Sequence, residues 1–476
     1  MVLLSHKTKI IATLGPASNT KETIIGLIKA GVDVFRLNFS HGDHRTHHQE
    51  IKLILEANEE LGTNVGILAD LQGPKIRLGD VPKPGIPVIA GQTLWFTQNE
   101  AENGPERYYV SYSDLVKDAK PGDRILINDG AISLIVTGQD GHAVQAQVLN
   151  DGLMESHKGV NLPDTRVTIP SLTEKDLFDL KFILSLEEKV NWIALSFVRN
   201  ATDLERLRGI ISLFNHQARI IAKIEKPEAI QNLDEIIAAT DAIMIARGDL
   251  GVELPLEEVP VIQKKIVEKC RLAAKPVIIA TQMMESMIVN PMPTRAEVTD
   301  VANAIYDGAD AVMLSGETAR GAYPIRVIET FTRILDHVEK QPEIYYRYCP
   351  ILRTSSSFLS DAICYNAVMI AQETNAKAIL GSTMSGYTAL KLSSFRPDCR
   401  IFIFTENEHL LNALSLVWGV RTFFYDQRQS TNLGYLETKN MLLEKGLVSR
   451  GDIIIHTSSM PIKDMGKTNA LKVDIV

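Results

Sequence analysis

The stretch Ile220-Ile-Ala-Lys-Ile-Glu-Lys-Pro-Glu-Ala229 runs as a β-strand should and then places Lys223 and Glu225 at its end, just before a helix start. Two residues apart on extended chain, these side chains leave the same side of a sheet. Such an arrangement is either a buried ion pair or half of an active site. The rest of the chain decides between them.

The same unit recurs. Short apolar runs bounded by helix signals read as strands over Thr8–Thr13, Val32–Leu37, Val65–Asp70, Trp192–Phe197, Ile220–Ile224, Ala242–Ala246, Val277–Thr281 and Ala311–Leu314. Most are followed by a helical pattern. Thr294-Arg-Ala-Glu297 and Thr173-Glu-Lys-Asp176 are capping boxes, in which a hydroxyl and a carboxylate satisfy free backbone N–H groups. Between Glu257 and Ala273, Ile262, Ile266 and Cys270 stand four apart and give one apolar helix face. Near-continuous apolar strands alternating with amphipathic helices make a parallel sheet, and the eight repeats point to an α/β chain built on a (β/α)8 TIM barrel. Pattern alone also fits a doubly wound open sheet.

The third unit is interrupted. From Leu71 to about Thr168 the helical period vanishes, and turn signals such as Lys120-Pro-Gly-Asp123, Asn128-Asp-Gly130 and Asn150-Asp-Gly152 separate short strands. This predicts an all-β lid domain inserted at the barrel end where such enzymes keep their chemistry. After about Gln341, runs at Ala378–Leu380, Arg400–Thr405, Thr422–Tyr425, Asp452–His456 and Leu471–Val476 predict a C-terminal α/β domain. The expected divisions are 1–70 and 169–342 for the barrel, 71–168 for the lid and 343–476 for the C-terminal domain.

Global properties narrow the function. The chain has 476 residues, 45% hydrophobic and 23% charged, as in a soluble globular protein of about three domains. No apolar run approaches the length of about 18 residues that spans a bilayer, and the net charge of -8 argues against broad nucleic-acid affinity. Cys270, Cys349, Cys364 and Cys399 lie far apart, and Met1–Lys7 lacks the apolar core of a signal peptide. A cytoplasmic protein without a metal–thiolate site is expected.

In a barrel the C-terminal strand ends converge on one mouth. Those ends carry Arg36, Asn38 and Ser40; Asp70; Ser196; Lys223 and Glu225; Arg247, Gly248 and Asp249; Thr281; and Ser315 with Glu317. Glu225 and Asp249 offer two hard oxygen ligands, too few for Ca2+ but suited to Mg2+, which keeps water or substrate oxygens in its other positions. Arg36, Arg77, Lys223 and Arg247 are expected to surround that ion with fixed positive charge, as a phosphoryl group or carboxylate requires. Thr281 and Ser315 can orient a substrate or relay a proton. A small phosphorylated acid is the substrate class this implies.

Two motifs are set aside. Met465-Gly-Lys-Thr468 resembles the end of a phosphate-binding loop, but Pro461 stands where that motif needs glycine. His41, His44, His47 and His48 crowd one stretch without an acidic metalloprotease pattern, so they read as solvated histidines on the first turns of a helix.

Taken in order, the stretches Thr8–Ala17, Arg36-Leu-Asn-Phe-Ser-His-Gly42, Asp70-Leu-Gln-Gly-Pro-Lys-Ile-Arg77, Lys158-Gly-Val-Asn-Leu-Pro163, Ala246-Arg-Gly-Asp-Leu-Gly-Val-Glu253, Ala280–Met287, Pro293–Glu297 and Met313–Ala319 resemble pyruvate kinases along essentially the whole chain. The resemblance implies transfer of the phosphoryl group of phosphoenolpyruvate to ADP, giving pyruvate and ATP, in a cytoplasmic homotetramer at the last step of glycolysis. It implies Mg2+ on Glu225 and Asp249, with Mn2+ as a substitute. Lys223 and Arg36 would neutralise the moving group. Ser196, Gly248, Asp249 and Thr281 would join them around phosphoenolpyruvate, and Thr281 with Ser315 would serve the proton step. Asn38, Phe39, Ser40, His41, Arg77 and, from the lid, Lys158 fall on the nucleotide side.

One departure bears on cofactors. Many relatives require K+ and carry an acidic residue where this chain has Lys75; an ammonium there can replace the K+ charge. Activity without K+ is therefore expected, with Asn38, Ser40, Asp70 and the Leu71 carbonyl outlining a vestigial monovalent pocket. In the C-terminal domain Thr383-Met-Ser-Gly-Tyr-Thr388 reads as a phosphate cradle for a sugar phosphate or nucleotide effector, although Thr457–Gly466 lacks the Arg-Pro-Gly features of the sugar-bisphosphate-responsive type. The competing readings are a Mg2+-dependent enolpyruvate aldolase or mutase, which would need neither ADP nor a lid, and an inactive sensing scaffold.

Overall fold

The computed structural model describes residues 6–104, 106–187, 190–351, 353–426, 431–460 and 467–476. Eight parallel strands close into a barrel: Lys9–Thr13, Val34–Asn38, Gly66–Asp70, Trp192–Leu195, Arg219–Ile224, Ala242–Ala246, Val277–Ala280 and Ala311–Leu314. Closure is made by the first and last, with Lys9 opposite Ala311 and Ala12 opposite Leu314. The open-sheet alternative is thereby removed.

Both faces of these strands are buried, which is why the sequence shows apolar runs and not alternation. One set of side chains, among them Ile11, Val34, Leu68, Trp192, Ile221, Met244, Ile278 and Met313, fills the barrel interior. The other packs under the helices. Both capping boxes form, at Thr173 with Asp176 and at Thr294 with Glu297.

Two strands end earlier than predicted, for a local reason. Phe197 and Thr281 have φ of 54° and 70°, in the left-handed region that breaks extended chain. The Phe197 N–H, freed from the ladder, donates to Glu225 Oε2 at 2.7 Å. Apolar periodicity carries no mark of such a turn.

Between the third and fourth barrel strands lies the inserted β unit. Its six-stranded sheet joins Thr93–Thr97, Arg107–Tyr109, Arg124–Ile127, Ile132–Gln139, Ala143–Val148 and Val160–Asn161, and a smaller one pairs Ile86–Val88 with Gly152–Met154. Asn128, Asp129 and Gly130 all take positive φ in the turn joining Arg124–Ile127 to Ile132–Gln139. A separate core around Phe96, Tyr108, Leu134 and Val144 holds the unit together.

The C-terminal sheet is ordered Val420–Phe424, Arg400–Thr405, Ala378–Ser382, Ile453–Ser458 and Ala470–Ile475, parallel except for the last strand. It docks under the barrel floor. Leu416 is wholly buried within the interior cluster of the barrel, and Trp192 Nε1 donates to Ala413 O at 3.0 Å. A Cβ on Gly66 would meet Ser415 Oγ at 2.6 Å, so this close approach requires glycine. Arg396, 2% exposed, donates to Asp310 at 3.1 Å and to Gly308 O at 2.7 Å.

If Leu416 is a plug for the barrel floor, Leu416→Ala leaves a cavity between the two units and costs about 2–5 kcal/mol. Urea unfolding followed by tryptophan fluorescence checks this. An unmoved midpoint would mean that the floor is sealed without it.

Candidate active site

The strand ends meet around one ammonium group. Lys223 Nζ lies 2.8 Å from Ser196 Oγ, 2.9 Å from Glu225 Oε1 and 3.3 Å from Asp70 Oδ1. Arg36 reaches the other side of Asp70, its Nε and Nη2 each 2.7 Å from Oδ2, while Nη1 donates to Thr13 Oγ1 at 3.1 Å. The ends of five consecutive barrel strands thus contribute to one polar and charged network.

Its electrostatics follow from burial and pairing together. Burial alone would strip the proton from Lys223, but Asp70, Glu225 and Asp249 outweigh it and raise the ammonium above the ordinary lysine range. Burial likewise opposes ionisation of Asp70, yet Lys223 and Arg36 hold its carboxyl below the usual value. Glu225 goes the other way. Burial raises it, with Lys223 pulling down and Asp249 pushing up.

The donor set fits a divalent ion. Glu225 is 0% exposed, its Oε2 accepting the Phe197 N–H and its Oε1 paired with the Lys223 ammonium at 2.9 Å, so an ion on Oε1 would share that oxygen with Lys223. Asp249 is close enough to act on both Glu225 and Lys223. No group of three or more His, Cys, Asp or Glu side chains able to hold a metal occurs among the described residues. An ion on two carboxylates must complete its shell with water or substrate oxygens, as Mg2+ does.

Thr281 stands on the far wall. Its Oγ1 donates to Ala280 O at 2.6 Å and accepts the Gly248 N–H at 2.7 Å, so that backbone donor is here engaged. Ser315 N donates to Glu317 Oε2 at 2.7 Å, and burial pushes the Glu317 carboxyl up. Arg247 departs from expectation. Its guanidinium pairs with Asp300 at 2.7 Å and donates to Thr281 O at 2.8 Å, so it braces the strained Thr281 turn, and its charge is already matched by a carboxylate.

Among the residues expected on the nucleotide side, Asn38 Oδ1 accepts the Ser40 N–H at 3.2 Å, and Phe39 is only 3% exposed, with its carbonyl held by Lys175 at 2.7 Å. His41 is exposed, and its imidazole is pushed down by partial burial and by Lys75, Arg77, Arg36 and Arg320. Those four cations are therefore close enough to act on it. Arg320 was not picked out from the sequence, because it follows the Gly316–Ala319 helix and not a strand end. Arg77 Nη1 donates to His157 O at 3.0 Å and Leu78 N to Lys158 O at 2.9 Å, which places Lys158 beside Arg77 where the inserted unit joins the barrel. Lys158 pairs with Glu155 at 3.2 Å and is half-buried.

The histidine cluster is not the solvated stretch expected. His47 is 6% exposed, bridging Glu50 and the His41 carbonyl at 2.9 Å each, and His44 stacks on Phe182 at 4.1 Å. Its apolar neighbours are distant in sequence, so no local pattern announces it. The Met465–Thr468 motif and the Thr457–Gly466 loop fall partly outside the described residues.

Comparison with known proteins places this geometry. The description "Pyruvate kinase, barrel domain" matches residues 5–328, and "Pyruvate kinase, alpha/beta domain" matches residues 361–474. A pyruvate kinase of Corynebacterium glutamicum is 43% identical over 99% of this chain and 98% of its own length. One from Mycobacterium tuberculosis is 41% identical, again over 99% and 98%. The crystal structure of a pyruvate kinase from Cryptosporidium parvum superposes with a TM-score of 0.93 at 37% identity, covering 99% of this chain and 96% of that one. The aldolase and scaffold readings are not favoured: the chain belongs to the pyruvate kinase family and transfers the phosphoryl group of phosphoenolpyruvate to ADP, giving pyruvate and ATP.

Proposed function

We propose that Lys223, Arg36, Glu225 and Asp249 carry this transfer, that Thr281 and Ser315 serve the proton step, and that the inserted unit brings Lys158 to the nucleotide. The observation that supports this most is the Lys223 ammonium, buried and held within 3.3 Å of Asp70, Glu225 and Ser196. In the reaction the bond from phosphorus to the enol oxygen breaks, a bond to the terminal phosphate oxygen of ADP forms, and enolpyruvate takes a proton at its methylene carbon. Catalysis of such a transfer is mostly positioning and charge stabilisation. Lys223 and Arg36 are oriented beforehand by Asp70, so neither reorganises as charge moves.

Glu225 and Asp249 would hold Mg2+, with Mn2+ able to replace it, and a divalent ion bound there supplies Lewis-acid polarisation of a phosphoryl oxygen. The Thr281 hydroxyl, now directed at Ala280 O, must turn away from it to deliver a proton. Gly248 N–H, which donates to the same Thr281 Oγ1, becomes free for the substrate carboxylate only when that oxygen itself swings away.

K+ is not required in this reading. The candidate ligands of the monovalent pocket already have protein partners: Asp70 with Arg36 and Lys223, the Leu71 carbonyl with Ser196 Oγ at 2.7 Å, and Asn38 Oδ1 with Ser40 N. Lys75 adds its charge nearby. The domain limits at 70/71, 168/169 and 342/343, a cytoplasmic glycolytic role and a homotetramer complete the proposal. No described helix is long and apolar enough to cross a membrane. An effector phosphate would sit at Thr383–Thr388, where Thr383 Oγ1 accepts Gly386 N at 3.0 Å.

Lys223→Met is expected to lower kcat for ADP-dependent pyruvate formation by about 10³-fold. It also leaves buried carboxylates short of a counter-ion, costing about 3–5 kcal/mol of stability, so circular dichroism must accompany the assay. A folded variant within about tenfold of the parent rate would move the chemistry elsewhere. Replacing K+ by Na+ or tetramethylammonium is expected to leave the parent rate unchanged, while Lys75→Glu introduces K+ dependence. A parent rate that collapses without K+ would refute the charge-replacement reading.

A further inference from the structure

Glu253 is a buried carboxylate that the transfer chemistry does not use. It is 2% exposed and ends the short helix Arg247–Glu253, whose first turn carries Gly248 and Asp249. One oxygen, Oε1, receives two donors from different parts of the molecule. Lys226 Nζ, on the residue after Glu225, lies 2.7 Å away, and Asn161 Nδ2, from the inserted unit three residues beyond Lys158, lies 2.9 Å away. Oε2 is buried without a hydrogen-bond partner.

The same carboxylate lines a cavity of about 260 Å³ between the inserted unit and the barrel, together with Arg77, Arg199, Lys226 and Asp249. Arg199 donates to the carbonyls of Val167 and Ile169, where the chain returns from the insertion. Three segments that carry site residues, Lys223–Lys226, Arg247–Glu253 and Lys158–Asn161, therefore meet at one oxygen atom. A buried acceptor left half-satisfied is costly to folding, and such groups are retained where geometry is being fixed.

We propose that Glu253 is a positioning residue that couples the seating of the inserted unit to the two strand ends bearing Glu225 and Asp249. The Asn161 contact holds the unit against the helix and so keeps Lys158 over the nucleotide side; the Lys226 contact orients the turn that follows Glu225. This rests on the assignment of Lys158 to the nucleotide and of Glu225 and Asp249 to the divalent ion.

The test compares Asn161→Ala, Glu253→Gln and Lys158→Ala in the full-length protein. Asn161→Ala is expected to raise KM for ADP about fivefold, the factor that one net hydrogen bond is worth, with KM for phosphoenolpyruvate unchanged. Amide hydrogen exchange over 155–169, measured without metal or substrate, is expected to quicken in both Asn161→Ala and Glu253→Gln. Glu253→Gln is further expected to weaken Mn2+ binding measured directly by electron paramagnetic resonance. If Lys158→Ala raises KM for ADP but Asn161→Ala changes neither that constant nor the exchange, the coupling is wrong and the site assignment stands. If Lys158→Ala itself leaves KM for ADP unchanged, the assignment beneath the proposal fails.

Discussion

Everything at the barrel mouth depends on keeping one ammonium charged out of water. Lys223 is a cation in a place that favours neutral amines, and the carboxylates of Asp70, Glu225 and Asp249 reverse that preference. Each carboxylate has the same need of it. Asp70 is also the partner of Arg36, so the second, third and fifth strands are tied by charge as well as by the ladders, with the Ser196 hydroxyl after the fourth strand accepting from Lys223. Burying such a set is tolerable only when every member is present, because removing one leaves an uncompensated charge in a low-dielectric site. The same condition makes the site stiff. A phosphoryl group entering the proposed site would meet charges already in place.

Much of the fold was legible because parallel strands buried on both faces advertise themselves as apolar runs. Ala242–Ala246 and Ala311–Leu314 were placed to the residue. Departures occur where the backbone answers to the site. The fourth and seventh strands stop at Leu195 and Ala280 because Phe197 and Thr281 adopt left-handed conformations, one offering its N–H to Glu225 and the other braced by Arg247. Neither turn contains glycine at the critical position, so no local signal marks it.

The candidate site was legible to the extent that it lies at strand ends. Lys223, Glu225, Asp70 and Arg36 converge as topology requires. Arg247 shows the limit of that rule: its position in sequence is right, but Asp300, more than fifty residues on, already holds its charge. Arg320, Glu253 and Asn161 lie just past a helix, on a helix and in the insertion, and their relevance appears only when the segments are assembled. Residue type and spacing describe what one segment can offer. They do not say which distant segment will answer.

The floor of the barrel has its own consequence. Leu416 fills space inside a ring of strands whose other interior side chains all come from the barrel, and Arg396 is buried against Asp310, the residue just before the eighth strand. The boundary between barrel and C-terminal unit in the chain is therefore not a boundary in the packing. A chimera joining this barrel to the C-terminal unit of a relative would have to conserve the shape of Leu416, the guanidinium of Arg396 and the glycine at position 66. Exchange of C-terminal units between members of such a lineage is restrained by a handful of contacts at the barrel floor, and the two parts are bound to change together.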